Sequence, residues 1–399
     1  MKKTKLLLLL VGLVVLALVV AGCGSNDTTT TTAGSTETTE GTTDGTTDTT
    51  GATETTESGD ATEAEVIKLK FAAERPPTHV DMTHNYPGYF KMVEEATNGK
   101  YKFDIEWYAT GTILTAADTY QGVVDGIVDI GHANLGYFAK RFPLILTLSQ
   151  PGIAAPTSTA AMNKATIEFY DKYMPEELQD THILFLYACG PGWIHNNDKY
   201  ETLDALKGKR IRSSATSIEA LKLLGADPIA IPSSETYEAA QKKTVDAILI
   251  TQEALEGWKF AELFQYSLAV PYIYPSEIFF VAMNKDKWNE LPEDLQKAMD
   301  EVRMDASIRA GTIWDYAHES GREFAKTMPS GHEDQYFSDA ETAKLLEVLK
   351  PLADSYAKLL DDEGLPGKEI VEDAKKFVEE ANKDTFPEWS PETDKYMNE

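Results

Sequence analysis

Cysteine is almost missing from this chain, with two in 399 residues, Cys23 and Cys189. That count excludes a disulfide scaffold, and Cys189, inside the apolar run ILFLYAC, reads as a core thiol rather than a reactive one. Positive charge is scarce too. Thirty-seven Lys and Arg face 65 Asp and Glu, a net charge of −28, which disfavours nucleic acid or an anionic lipid surface as a partner. Catalytic signatures are missing as well. There is no G-x-S-x-G elbow, no phosphate-cradling glycine loop and no C-x-x-C. HESGR (His318 to Arg322) fails as a zinc motif because Arg322 stands where the second ligand histidine must be, and His79 and His84 are five apart, off one helical face. No metal, cofactor or enzymatic turnover is expected, so the chemistry left to find is recognition.

The first 65 residues are set apart by composition. MKKTK followed by the apolar stretch from Leu6 to Gly22, with Ala21-Gly22 directly before Cys23, reads as a lipoprotein signal peptide (1–22) and a lipidated Cys23. The alternative is an uncleaved membrane anchor, for which the run is slightly short. Either places the remainder outside the cytoplasm, held to the membrane by its N-terminus. From Gly24 to Glu65 the chain has no aromatic residue, Leu, Ile or Val and ten acids without a base. Such a segment cannot bury enough surface to offset ordering entropy. Residues 23–65 are expected to be a flexible tether of about 35 Å end to end, its threonines open to O-glycosylation.

From Val66 the composition becomes that of a globular protein, and about 330 residues suit two lobes better than one core. Strands are predicted at VIKLKFAA, YKFDIEWY, IVDIGHA, HILFLYA, RIRSS, PIAIP and VDAILI. Helices are predicted between them and over the long stretch after Leu291. The alternation predicts α/β lobes with largely parallel sheets. A weak echo, DTYQGVVDGIVD (Asp118–Asp129) and ETYEAAQKKTVD (Glu235–Asp246), predicts a repeated helix-to-strand unit with an Asp at each strand entrance. The concentration of Lys207, Lys209, Arg210 and Arg212 before a helix stands out beyond the signal peptide in so acidic a chain. A strand arginine beside a helix start can hold a carboxylate or other oxyanion, and a solvated surface arginine is the alternative.

The stretch DALKGKRIRSSATSIEALKLLGADPIAIPSSETYEAAQKKTVDAI, with Met283-Asn284-Lys285, Trp288 and Leu291-Pro292 further on, resembles the DctP-type solute-binding proteins of TRAP transporters. The resemblance covers Val66 to about Glu380. It implies a two-lobed, periplasmic-binding-protein-like α/β clamshell with long C-terminal helices. Lobe I would hold 66–189 plus about 277–318, and lobe II 190–276 plus about 319–390. The implied function is capture of a small organic acid in an interlobe cleft and delivery to the membrane subunits of a TRAP permease, or signalling to another membrane partner from the same fold. The arginine that grips the carboxylate in the family falls on Arg212. Trp193 stands where sialic-acid binders have a second arginine, which implies an apolar or aromatic remainder lying against Trp193 and Tyr137. Asn134, Glu74 and Thr251 complete the expected ligand contacts, and Tyr274 could reach the cleft.

Overall fold

The computed structural model describes residues 63–397; the signal peptide, Cys23 and almost all of the tether lie outside the described residues. In chain order the elements are β1 (Glu65–Ala73), α1 (Tyr86–Ala96), β2 (Tyr101–Tyr108), α2 (Thr119–Val124), β3 (Ile130–Asn134), α3 (Thr159–Tyr173), β4 (Thr181–Ala188), β5 (Trp193–Asn196), β6 (Arg210–Ser213), α4 (Ile218–Leu223) and β7 (Asp227–Ala230). Then come α5 (Ser233–Gln241), β8 (Ala247–Ile250), α6 (Ala254–Gly257), β9 (Tyr266–Ala269), β10 (Ile278–Asn284), α7 (Lys285–Glu290), α8 (Glu293–Glu301), α9 (Arg303–Lys326), β11 (Glu333–Gln335), α10 (Asp339–Asp362) and α11 (Gly367–Ala381). All seven strands predicted from the sequence are present, with ends that differ by a few residues.

Two sheets form, in the orders β2-β1-β3-β10-β4 and β11-β9-β5-β8-β6-β7. They are mixed rather than largely parallel. β10 runs antiparallel to β3 and β4, and β5 runs antiparallel to β8 and β9. The reason lies in the path of the chain. It passes directly from β4 into β5 and returns from β9 into β10, so β5 and β10 enter their sheets from the opposite end. The remaining strands, including parallel β1, β2, β3 and β6, β7, β8, end where the chain crosses between sheets. Carboxyl ends of parallel strands are where open α/β sheets bind ligands.

The sequence echo is structural. Asp129 accepts the Lys70 backbone N–H at 2.7 Å and donates its own to the Lys70 carbonyl at 3.1 Å. Asp246 does the same to Arg210, at 2.9 and 2.8 Å. In each sheet a helix thus leads to an aspartate that locks the entrance of the next strand onto its neighbour.

α9 ties both halves together, and its glycines set how closely. A Cβ at Gly311 would stand 2.5 Å from the Ala160 Cα of α3, and one at Gly321 would stand 2.3 Å from the Gln252 carbonyl just before α6. α10 is anchored at one end by Glu341, which accepts the Leu203 N–H, and near the other by the Tyr356 hydroxyl on the Pro143 carbonyl. α11, which the expected division gave to lobe II, packs on α3 beside the first sheet. Its apolar stripe (Ile370, Val371, Ala374, Val378, Ala381) joins the core of Phe142, Phe169 and Phe280. Amphipathicity shows that α11 has a buried face, not which sheet receives it.

Two predictions follow from this packing. Gly321→Ala has only backbone atoms to push against, and is expected to cost about 1–3 kcal/mol in chemical denaturation. The second concerns pH. Burial holds five imidazoles below their usual range: His132 well below, His195 to about 3, and His84, His318 and His332. In the unfolded chain they protonate near pH 6.5, so the unfolded state gains protons that the folded state refuses. This stability is fully present above pH 6.5 and is lost as pH falls towards 3. Burial raises the Glu177 carboxyl to about 7, and Glu74 is also raised, which acts in the opposite sense between about pH 7 and 4.5. The imidazoles outnumber the two acids, so the melting temperature is expected to drop from pH 7 to pH 5, and His195→Gln should flatten that slope.

Candidate ligand-binding cleft

Four basic residues crowd the approach to β6, and the structure separates one from the rest. Lys207 pairs with Asp204 at 2.6 Å, Lys209 with Asp198 at 2.9 Å, and Arg210 with Asp246 through Nε at 3.0 Å and Nη2 at 2.5 Å, all on the surface. Arg212 is different. It is 4 % exposed and forms no ion pair among the described residues. β6 lies between β7 and β8, with Arg212 opposite Ile229 and Ile248. Its guanidinium therefore reaches the chain just beyond both neighbours: Nε donates to the Ile231 carbonyl at 2.9 Å, Nη1 to the Leu249 carbonyl at 3.2 Å, and Nη2 to the Ser233 hydroxyl at 3.1 Å. Three of five N–H donors are used. Two remain, one on each terminal nitrogen, which is the number a bidentate carboxylate takes.

Ser233 opens α5 and lines a cavity of about 350 Å³. The walls come from both halves of the fold: Glu74 and Tyr137 after β1 and β3, the loop from Thr110 to Ala117, and Pro232 to Glu235 with Trp258 opposite. Larger cavities exist, including one of about 730 Å³ along the C-terminal segment, but none of them is lined by Arg212 or its hydrogen-bond partners. The smaller cavity is the one beside an unpaired buried cation, and for that reason it is the candidate site.

Its first-sheet wall is acidic and tightly arranged. The Tyr137 hydroxyl and the Glu74 carboxyl line the same cavity and influence each other's titration. Burial raises the Glu74 carboxyl, opposed by the Arg75 charge, with the neighbouring Glu277 adding to the rise. Asn134 caps the turn after β3, accepting the Gly136 N–H at 2.7 Å, and its amide donates to Glu277 Oε2. Behind this wall Arg75 lies over the Phe279 ring at 4.6 Å and faces Asp81 at 3.2 Å. Asp81 is fixed by Trp314 Nε1 at 3.0 Å and the Tyr187 hydroxyl at 2.8 Å. His79 stands 3.4 Å from Glu253, beside α6.

Of the residues chosen from the sequence, the structure brings Glu74 and Tyr137 into one cavity, with Arg212 joined to its wall through Ser233 and Asn134 bracing that wall from behind. Trp193 does not meet them. It starts β5 opposite Ile250 and Ala269, and its ring stands edge-on to Tyr336 at 5.6 Å. Gly192 before it is needed because a Cβ there would be 2.6 Å from Tyr274. Thr251 follows β8 and is buried, its carbonyl occupied by the Ala254 N–H and near the His195 ring. Tyr274 is buried with its hydroxyl 3.5 Å from the Cys189 sulfur; burial pushes that thiol up to about 12. Ser233, Trp258 and Glu277 were missed. Ser233 had a signal, since it lies in the quoted PSSETY, whereas Glu277 and Trp258 reach the site only through the folded path of the chain.

The sequence profile of the bacterial extracellular solute-binding protein family 7 (DctP) matches residues 75–359. The chain belongs to this family. Its fold is that of solved members. A TRAP periplasmic solute-binding protein from Desulfovibrio salexigens, solved as an open complex with the C-terminus of a symmetry mate in its ligand-binding site, is 28% identical, with a TM-score of 0.71 covering 80% of this chain and 98% of that one. A marine metagenome TRAP solute-binding protein specific for aromatic acid ligands, in complex with 3-hydroxybenzoate, is 24% identical, with a TM-score of 0.73 over 80% and 100% of the two chains. The 2,3-diketo-L-gulonate-binding periplasmic protein YiaO of Escherichia coli is 25% identical over 213 residues, which are 52% of this chain and 63% of YiaO. The two-lobed clamshell is therefore the architecture of this DctP-family chain. Among its described residues, no helix is long and apolar enough to cross a membrane, and no group of three or more His, Cys, Asp or Glu could hold a metal ion.

The site geometry predicts a division of labour among the basic residues. Asp246→Ala removes a surface partner of Arg210 and is expected to leave ligand binding unchanged. Ser233→Ala frees one Arg212 N–H without removing charge, and should weaken binding less than tenfold in calorimetric titration.

Proposed function

We propose that this DctP-family protein is the extracytoplasmic receptor of a TRAP-type secondary transporter and that it binds a small organic carboxylate through Arg212. The observation that carries the reading is a buried guanidinium without a counterion among the described residues, two N–H donors in hand, next to a cavity that opens between the two halves of the fold. Cys23, lipidated, and the tether would hold the receptor on the outer face of the cell membrane within reach of its permease. The role is binding and delivery rather than turnover. The lobes would be built on the two sheets, with α9 and α10 spanning them. Ligand touching Arg212 and Ser233 on one side and Tyr137 and Glu74 on the other would favour the closed form, which the permease then recognises. The ligands of two relatives, 2,3-diketo-L-gulonate and 3-hydroxybenzoate, are carboxylates and support this chemistry.

The test is a thermal-shift screen of the full chain against aliphatic and aromatic mono- and dicarboxylates, followed by calorimetry on the hits. A carboxylate is expected to raise the melting temperature by linkage. Arg212→Ala should cost about 2–5 kcal/mol of binding, at least thirtyfold in Kd. Hits that are uncharged, or that bind Arg212→Ala as well as wild type, would sink the reading.

A further inference from the structure

The cavity is chemically lopsided, and its second end is informative about the cargo. At the first end the wall includes Ser233, whose hydroxyl accepts from Arg212 Nη2. At the other, Glu74 lines the wall with Glu277 next to it, so acceptors dominate. Two carboxyl groups offer about eight acceptor positions, and few donors reach them. Asn134 gives one to Glu277 Oε2, and Tyr137 stands in the same cavity wall as Glu74. Glu277 is 8 % exposed, yet its Oε1 has no hydrogen-bond partner among the described residues. Arg75 does not make up the shortfall. It is turned to Asp81, and its Nη2 donates no hydrogen bond among the described residues. Between the two ends the lining is Thr115, Ala116, Ala117 and Trp258, which suits a ring or a short carbon chain.

From this arrangement we propose that the cargo carries a hydrogen-bond donor, a hydroxyl or N–H, on the end away from its carboxylate, and that Glu74 is the residue that selects it. The inference rests on the reading of the cavity as the cargo site with Arg212 as its anchor. An acid with an apolar far end would leave the spare lone pairs of Glu74 without a donor once the cleft excludes water, and unmade hydrogen bonds to buried polar groups are costly. An acid with a hydroxyl or N–H there would supply what the paired carboxyls lack. Size does not decide between the two, because benzoate and 3-hydroxybenzoate differ by one oxygen.

The experiment compares matched probes by calorimetry on the full chain. Benzoate, 3-hydroxybenzoate and 3-formylbenzoate share a ring and carboxylate but carry nothing, a donor, or an acceptor alone. Cyclopentanecarboxylate and pyroglutamate make the same comparison without an aromatic ring. The donor-bearing member of at least one series should bind about tenfold or more tightly than its partners. In Glu74→Gln that preference should shrink below about threefold, while the unsubstituted acid still binds and still depends on Arg212. Equal binding within both series, tighter binding of 3-formylbenzoate than of 3-hydroxybenzoate, or a preference untouched by Glu74→Gln in a folded variant overturns the proposal and leaves the Arg212 reading standing. If Glu74→Gln does not fold, the wild-type series decides alone. If no probe binds, or binding survives Arg212→Ala, the cargo-site reading falls and this inference falls with it.

Discussion

A guanidinium taken out of water must be given hydrogen bonds, and the second sheet of this protein is arranged so that Arg212 receives them from the backbone. One carbonyl just past β7, one within β8 and the hydroxyl that opens α5 hold the side chain in place. None of the three carries a full charge. The cation is thereby solvated but not neutralised, which differs from burial in an ion pair. The other basic residues of the same stretch show the contrast, since each has an aspartate within 3 Å. An acidic protein repels an organic anion at long range, and screening confines that repulsion to about 8 Å at physiological ionic strength. Within the cleft the local charge prevails.

That solvation shell depends on strand direction. Only where β6, β7 and β8 run parallel do the carbonyls beyond two neighbours converge on the side chain of the middle strand. The crossings between sheets supply the other wall by bringing the carboxyl ends of β1 and β3 to face the same space. β5 and β10, the strands that arrive from across the divide, run antiparallel because of this path. Close backbone approach at Gly311 and Gly321 then fastens α9 to both halves. The buried network of Arg75, His79, Asp81 and Glu253 links the first sheet to the neighbourhood of α6. Its charges are placed where the halves meet, so an opening of the cleft would change their exposure to water.

Much of this was legible in the amino-acid order. Apolar patterning marked every strand from β1 to β8 that was sought, and the echo located both strand-entrance aspartates. Arg212 could be singled out because arginine in a strand, directly before a helix start, is chemically unusual in so acidic a chain. Trp193 shows the limit. Its place in the sequence put it near the cleft, and its ring nonetheless packs against Tyr336, because a position at a strand end does not specify which face the side chain takes once neighbouring strands set the register. α11 repeats the point at a larger scale, being visibly amphipathic yet assigned to the wrong neighbour.

By itself the sequence determined the elements, their order and the identity of the one exceptional arginine, since these follow from local periodicity, composition and charge. Tertiary structure alone decided that Lys207, Lys209 and Arg210 are neutralised while Arg212 is not. It also decided that Ser233, Trp258 and the Glu74–Glu277 pair share the space around it. Apart from the two lysine pairs, which are local, these relations join residues more than 20 positions apart, and only the pairing of strands and the crossing of the chain between two sheets bring such residues within reach of one another.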